Sequence, residues 1–345
     1  MRITSKAPCR VDLAGGTLDI WPLYLFHANA VTVNFAVDRY TSCVIQTRND
    51  REIHLYSRDL NESESFGTIE ELRGTKRYKL PLVAEILRFF TPGTGIDVTT
   101  NSESPAGAGI AGSSALIVAV TNAFNKLAGA GYTIEQLREI SQNIEARIIR
   151  VPTGCQDYYP AMYGGISAIE LGPPGIRRVE IAIPHEALIQ RVVLAYTGAP
   201  RHSGINNWEV MKAYIDGDAN VHKNFDKISA VSYSMRSAIE RQDWRDAGRL
   251  LREEWSTRRK NAPGITTPLI DHLVEVTRKA GSTGAKVCGA GGGGCVLFLV
   301  EPDAKQCVAG IIAREGGQVL DVTVAPRGVR VLVDKESRLK SAHAS

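Results

Sequence analysis

The chain has 345 residues, of which 43% are hydrophobic and 23% charged, the composition of a soluble globular protein long enough for two domains. A formal net charge of +4, with few aromatics beside the basic residues, is too weak a signature for nucleic-acid binding, although it suits a small anionic ligand. The N-terminal "MRITSKAPCR" lacks an apolar signal core and no run reaches the roughly 18 apolar residues of a membrane span, so a cytoplasmic enzyme or binding protein without a membrane partner is expected.

Taken in order, residues 1–60 read as β-rich. "AVTVNFAVDRYTSCVIQT" (30–47) is full of β-branched and aromatic residues, and "REIHLYS" (51–57) alternates. A helix is expected from Pro81, a strand over 95–104, and a buried helix over 113–129 stopped by Gly129. Thr133 and Gln136 resemble a capping box that opens the next helix, which Pro152 and Gly154 break. Strands are expected at 165–171 and 178–183, joined by a hairpin turn at "PPG" (173–175), and again at 191–196. Residues 206–260, including "RQDWRDAGRLLREEW", are charged at helical spacing and read as a solvated helix face. A helix at 266–280 and strands flanking a glycine loop close the pattern. The fold class is α+β, divided at about 1–187 and 188–345. Six scattered cysteines without CxxC spacing read as reduced thiols rather than a disulfide frame or zinc site.

Four stretches could carry chemistry. "PAGAGIAGSSA" (105–115) places small residues before a helix, where unpaired N–H groups and the helix dipole favour anions. An ordinary serine-capped turn is the plain alternative. "KVCGAGGGGC" (286–295) sets glycines between two apolar strands, an entropic cost that suits a close approach to the backbone; a tight hairpin is the alternative. In "PTGCQDYYPAMYGG" (152–165) Asp157 follows a helix end and reads alone as a turn former. In "PCRVDLAGGTLD" (8–19) Arg10 lies on a short strand and Asp19 beyond a double glycine. GxGxxG occurs literally as Gly107, Gly109 and Gly112, but the "NKLAGAGYT" that follows supplies no acid about 20 residues on, as a dinucleotide site requires.

In this order the motifs resemble those of the GHMP kinase superfamily, from Pro8 to Cys295. "PAGAGIAGSSA" looks like its second motif, PxGxGLxSSA, and "KVCGAGGGGC" like its third. "PCRVDLAGGTLDIWP", "AVDRY" and "LAYTGAPRHS" look most like the sugar-kinase branch that holds heptose 7-phosphate kinases and galactokinase. The resemblance implies a ribosomal protein S5 domain 2-like N-terminal domain that binds ATP and a ferredoxin-like C-terminal domain. It implies an ATP- and Mg2+-dependent phosphotransferase acting on a sugar or sugar phosphate, at the anomeric C1 hydroxyl of a heptose 7-phosphate-like substrate. Another monosaccharide 1-kinase, or a non-catalytic sugar- and ATP-binding regulator, stays open, as does a homodimer.

Carried over residue by residue, Pro105, Gly107, Ala108, Gly109, Gly112, Ser113 and Ser114 would surround the triphosphate. Ser113 and Glu145 would hold the metal. Asp157 would be the catalytic aspartate and Arg10 its basic neighbour. Asp19, Gly16, Thr17, Asp38, Arg39, Tyr40, Gln156, Gly291, Gly292 and Arg201 would serve the acceptor, with His202 and Ser203 beside Arg201 as an anion-binding loop. Galactokinase has Glu-His-Thr where this chain has Gly16, Thr17 and Leu18, which disfavours galactose itself. The heptose-kinase pattern has a third glycine and a threonine where Thr17 and Leu18 stand. Ala111 and Gly112 keep the small size of the second motif but lose a hydroxyl.

Overall fold

The computed structural model describes residues 1–199 and 205–334. The chain opens with two long strands, β1 (Arg2–Ala14) and β2 (Val31–Thr47), paired antiparallel. β3 (Ile53–Ser57), β4 (Glu62–Phe66), α1 (Ile69–Gly74), α2 (Pro81–Phe90) and β5 (Ile96–Ser102) follow. Then come α3 (Gly112–Ala128), α4 (Ile134–Ile149), α5 (Tyr158–Tyr163) and the hairpin of β6 (Ile166–Gly172) and β7 (Gly175–Glu180). The rest comprises α6 (His185–Ile189), β8 (Val192–Tyr196), α7 (Ile205–Ile215), α8 (Ala219–Glu240), α9 (Trp244–Arg258) and α10 (Pro268–Lys279). β9 (Ser282–Val287), β10 (Cys295–Val300), α11 (Lys305–Arg314), β11 (Gln318–Leu320) and β12 (Arg330–Asp334) complete it.

The strands form two sheets. The first runs β12-β1-β2-β5-β3-β4, with the β6–β7 hairpin attached to β2; β3 and β5 are parallel in an otherwise antiparallel sheet. The second, β11-β8-β10-β9, is antiparallel throughout. Its chain order, strand, helices, two strands, helix, strand, is the split β-α-β plan of ferredoxin-like units, as expected. The expected division at 187 needs one correction. After β11 the backbone N–H of Asp38 donates to Thr323 O at 3.1 Å, Val37 bridges Val324, and β12 pairs with β1. The last described strand therefore belongs to the first sheet, so the described residues from 188 onward are not one continuous unit.

Local sequence explains the elements that matter here. α3 is apolar nearly all round, with Ile117, Val118, Val120 and Phe124 fully buried, which is why it packs centrally on β1 and β2. Gly129 ends it in a left-handed C-cap. α4 begins at the capping box predicted from Thr133 and Gln136, both of whose hydrogen bonds form. Asp157 lies, as expected, in a turn, at the N-cap of the short helix α5, whose Tyr158 and Tyr159 are buried. One expectation fails: the charged run around α9 is not wholly solvated, because Glu254 and Arg258 are buried on its inner face. Their spacing of four puts them on one side of the helix, where each supplies the counter-charge that makes the other's burial tolerable. Five of the six cysteines are buried, and no helix among the described residues is long and apolar enough to cross a membrane.

Candidate active site

A cavity of about 420 Å3 lies between the sheets, and its wall is built from the motif loops. The 105–111 loop is fixed from two sides. From β1, the Arg10 backbone N–H donates to Ile110 O at 2.9 Å, and Arg10 Nη1 donates to Gly109 O at 3.1 Å. From the second sheet, the Cys295 N–H donates to Ala108 O at 2.6 Å. Gly294 permits that approach, since a Cβ there would lie 2.7 Å from Ala108 O and its φ of +79° is costly for other residues. The glycine loop of 289–294 thus serves to seat one motif on the other.

The loop turns into α3 through Gly107 (φ 67°), Gly109 (φ 76°) and Ala111 (φ 58°). Ala111 is the N-cap, and no side chain caps the helix. The serine-capped turn is therefore incorrect. Ser113 Oγ and Ser114 Oγ instead donate to Glu145 of α4, at 2.6 Å to Oε1 and 2.8 Å to Oε2. The first-turn N–H groups of α3 are left for an anion in the cavity, which Pro105, Gly107, Ala108, Gly109, Gly112, Ser113 and Ser114 all line.

Glu145 is buried, and burial pushes its pKa upward against the hydrogen bonds from Ser113, Tyr158 and Ser114 that favour the carboxylate. Its two oxygens differ. Oε2 is held by Ser114 and by Tyr158 Oη at 2.6 Å, whereas Oε1 receives Ser113 alone. Glu145 Oε1 and Ser113 Oγ form an all-oxygen pair on the cavity wall. That donor set fits magnesium, a hard cation commonly held by one or two carboxylates with phosphate oxygens and water.

The same cavity is lined by the Arg10–Asp157 pair. Arg10 Nε and Nη2 donate to Asp157 Oδ1 at 2.9 and 2.6 Å. Asp157 Oδ2 has no hydrogen bond among the described residues, and Asp157 lines the cavity. Arg10 is buried; burial works against its charge, but Asp157 and Asp12 raise its pKa further above the ordinary range.

Asp19 Oδ2 accepts from the Gln156 N–H at 2.8 Å and fills the space a side chain at Gly154 would need, 2.0 Å from its Cβ position. Burial, with repulsion from Asp157, raises the Asp19 pKa from 3.8 to about 6. Gly16, Thr17 and Gln156 join it on the wall, and Gln156 Oε1 is a buried acceptor with no partner among the described residues.

Five expected acceptor residues lie elsewhere. Asp38 accepts from the Thr323 backbone and hydroxyl, and Arg39 Nη2 donates to Asp321 O at 2.8 Å. The Tyr40 N–H donates to Glu103. Asp38 and Arg39 hold neighbouring backbone, Tyr40 is held by the Glu103 carboxylate, and none of the three lines the cavity. Gly291 and Gly292 pack on Ile265, with the Gly292 N–H bonded to Ile265 O; Gly289 and Ala290 line the cavity instead. Arg201, His202 and Ser203 lie outside the described residues.

Sequence reasoning missed a buried charge cluster, made of Asp12, Lys286 and Glu254 behind the cavity and Arg258 on its wall. Asp12 was detectable in principle, because two residues from Arg10 on a strand means the same face. It also missed the apolar flank supplied by Leu60, Leu80, Pro81 and Val83, which come together only through the fold.

The family model described as "GHMP kinases N terminal domain" matches residues 78–165, and "GHMP kinases C terminal" matches 235–316. The chain is 26% identical over 339 residues to D-glycero-alpha-D-manno-heptose 7-phosphate kinase of Campylobacter jejuni, covering 95% of this chain and 98% of that one. It is 27% identical to a galactokinase of Roseiflexus sp., covering 87% and 84%. Among solved structures it resembles a D-glycero-D-manno-heptose 1-phosphate kinase of Bacteroides thetaiotaomicron. There the TM-score is 0.76 at 21% identity, over 96% of this chain and 99% of that one.

Proposed function

This chain belongs to the GHMP kinases, and from that premise we propose that it transfers the γ-phosphate of ATP to a hydroxyl of a sugar or sugar phosphate. The acceptor we favour is the anomeric C1 hydroxyl of a heptose 7-phosphate-like sugar, which agrees with its similarity to the heptose 7-phosphate kinase.

The observation that carries this reading is the half-engaged Asp157. Arg10 binds only Oδ1, which leaves Oδ2 without a hydrogen bond among the described residues, on a side chain that lines the cavity together with the uncapped end of α3 and Asp19. A phosphate chain on the α3 N–H groups and a sugar hydroxyl on Oδ2 would then face each other across the cavity. Positioning of this kind accounts for most of the catalysis in phosphoryl transfer, where the transition state is loose and the attacking hydroxyl needs little prior deprotonation. Asp157 orients the hydroxyl and receives its proton as the phosphorus–oxygen bond forms. Magnesium bound at Glu145 Oε1 and Ser113 would neutralise charge on the β- and γ-phosphate oxygens. The apolar flank at Leu80, Pro81 and Val83 offers the base a dry surface. On the acceptor side, Asp19 and the unpartnered Gln156 Oε1 both take hydrogen bonds from sugar hydroxyls, since both oxygens are acceptors.

A coupled assay of ADP release tests the reading, with ATP, Mg2+ and a panel of heptose 7-phosphate, fucose, galactose, mannose and other sugar phosphates. Release that depends on one sugar supports it. Saturable binding of ATP and sugar with no turnover across the panel would instead make the protein a regulator of the same fold.

A further inference from the structure

Behind the cavity a chain of ionised side chains runs from the catalytic pair to the acceptor wall without reaching solvent. Arg10 shows two edges. Nε and Nη2 face Asp157, while Nη1 donates to Asp12 Oδ1 at 3.1 Å. Asp12 is fully buried; its Oδ2 pairs with Lys286 Nζ, and its Oδ1 also accepts the Gly289 N–H at 3.1 Å. Lys286, buried on β9, lies 3.4 Å from Glu254 Oε1 of α9. That same oxygen accepts from Arg258 Nε and Nη2 at 3.0 and 2.6 Å. Arg258 then closes on the cavity wall: Nη2 donates to Gly16 O at 2.6 Å and Nη1 to Thr17 Oγ1 at 3.2 Å. The turn it holds is strained at Thr17, whose φ is 70°.

Such a chain is a poor way to gain stability. Buried ion pairs roughly break even against well-packed apolar side chains, and breaking one leaves an unpaired charge. What this chain does provide is geometry. Asp12 fixes the rotation of the Arg10 guanidinium and hence the direction in which Asp157 presents Oδ2. Arg258 fixes the backbone from which Asp19 projects. Glu254 and Lys286, from the second half of the chain, tie these two ends together.

We infer that Asp12, Lys286, Glu254 and Arg258 are positioning residues that hold the Arg10–Asp157 pair and the Gly16–Thr17 turn in register, so that the attacking hydroxyl is delivered to the phosphoryl group. The inference rests on the kinase reading above. It predicts that the two ends of the chain affect different steps. Disturbing the Asp12 end lowers kcat, whereas disturbing the Arg258 end weakens acceptor binding.

The test uses steady-state kinetics of the full-length protein with its accepted sugar. Asp12→Asn alone would leave Lys286 with only its longer pairing to Glu254, so it is made together with Lys286→Met, which removes the pair as a unit and leaves Glu254 with Arg258. This double variant is expected to lose on the order of 10²-fold in kcat, the scale of a misplaced reacting group, with the ATP KM within about twofold of wild type. Arg258→Met is expected to raise the acceptor KM by roughly tenfold or more, from loss of buried charged hydrogen bonds, with a smaller change in kcat. Arg258→Lys, which keeps one donor, should recover part of that loss. Circular dichroism and the ATP KM establish that each variant is folded. Equal losses in kcat and in both KM values in both variants would mean a structural role only and overturn the inference. So would wild-type kinetics in the folded double variant. If wild type phosphorylates no sugar, the kinase reading fails first and the inference with it.

Discussion

Asp157, Glu145 and Asp19 are three carboxylates on one cavity wall with three different environments. Asp157 is bound on one oxygen by a guanidinium, Glu145 is wrapped by three hydroxyls, and Asp19 is buried with one backbone donor. Each therefore makes a separate prediction. Asp157→Asn keeps the shape but cannot receive a proton, so turnover should fall by at least ~100-fold while the ATP KM is preserved; a folded variant with wild-type turnover would refute the role. Glu145→Gln should raise the Mg2+ concentration for half-maximal rate by at least about tenfold, in the range seen when support of a metal site is removed. A titration of rate against Mg2+ reads this directly. Asp19, with a pKa raised from 3.8 to about 6, is protonated in weak acid and loses an acceptor for sugar hydroxyls. The acceptor kcat/KM should therefore rise with pH through an inflection near 6 that Asp19→Asn removes. Its effect on stability has the opposite sign. A carboxyl whose pKa is raised by folding favours the fold while protonated, so that share is complete below pH 3.8 and lost as pH rises through about 6. These roles were partly legible in the sequence. Asp157, Arg10, Glu145, Ser113 and Asp19 were placed by motif order, and all five line the cavity or touch its lining. Asp38, Arg39 and Tyr40 do not line it, which the sequence could not show, because a polar triplet inside a strand reads the same whether it faces a ligand or, as Asp38 and Arg39 do, binds the 321–323 segment.

At the level of elements, the uncapped N-terminus of α3 and the glycine loop before β10 act together. The sequence showed each as a small-residue stretch before or between apolar segments. It did not show that Cys295 donates to Ala108, because a contact spanning that separation leaves no periodic trace. Gly294 is the residue on which this seating depends. Gly294→Val combines a left-handed φ with a Cβ 2.7 Å from Ala108 O, and should cost about 1–3 kcal/mol of stability. Urea unfolding measures the loss, and the ATP KM should rise in the same variant as the phosphate loop shifts. The same substitution at Gly310, on α11 with open space around its Cβ position, makes no comparable clash and should leave the ATP KM unchanged. α9 shows the reverse limit of sequence reading. Its charge pattern does mark an exposed face, yet two of its charges turn inward, and only their partners, Lys286 on β9 and the Gly16–Thr17 turn, reveal why.

In the whole molecule, two sheets meet at a cavity to which neither supplies a complete site. The first gives the 105–111 loop, Glu145, Asp157 and Asp19; the second seats that loop through Cys295, and α9 anchors the Gly16–Thr17 turn through Arg258. The two-unit α+β plan followed from element order. The return of β12 to the first sheet did not, because a short exposed strand near the chain end has no local feature that names its partner. The central claim is that this junction directs a phosphoryl group from ATP to a sugar hydroxyl oriented by Asp157. 31P NMR of the wild-type protein with ATP, Mg2+ and its accepted sugar tests this most directly, with the folded Asp157→Asn variant run in parallel. The account predicts a new phosphate resonance coupled to the anomeric proton, formed at least ~100-fold more slowly by the variant. Phosphate on C6, or equal rates in the two proteins, would contradict it.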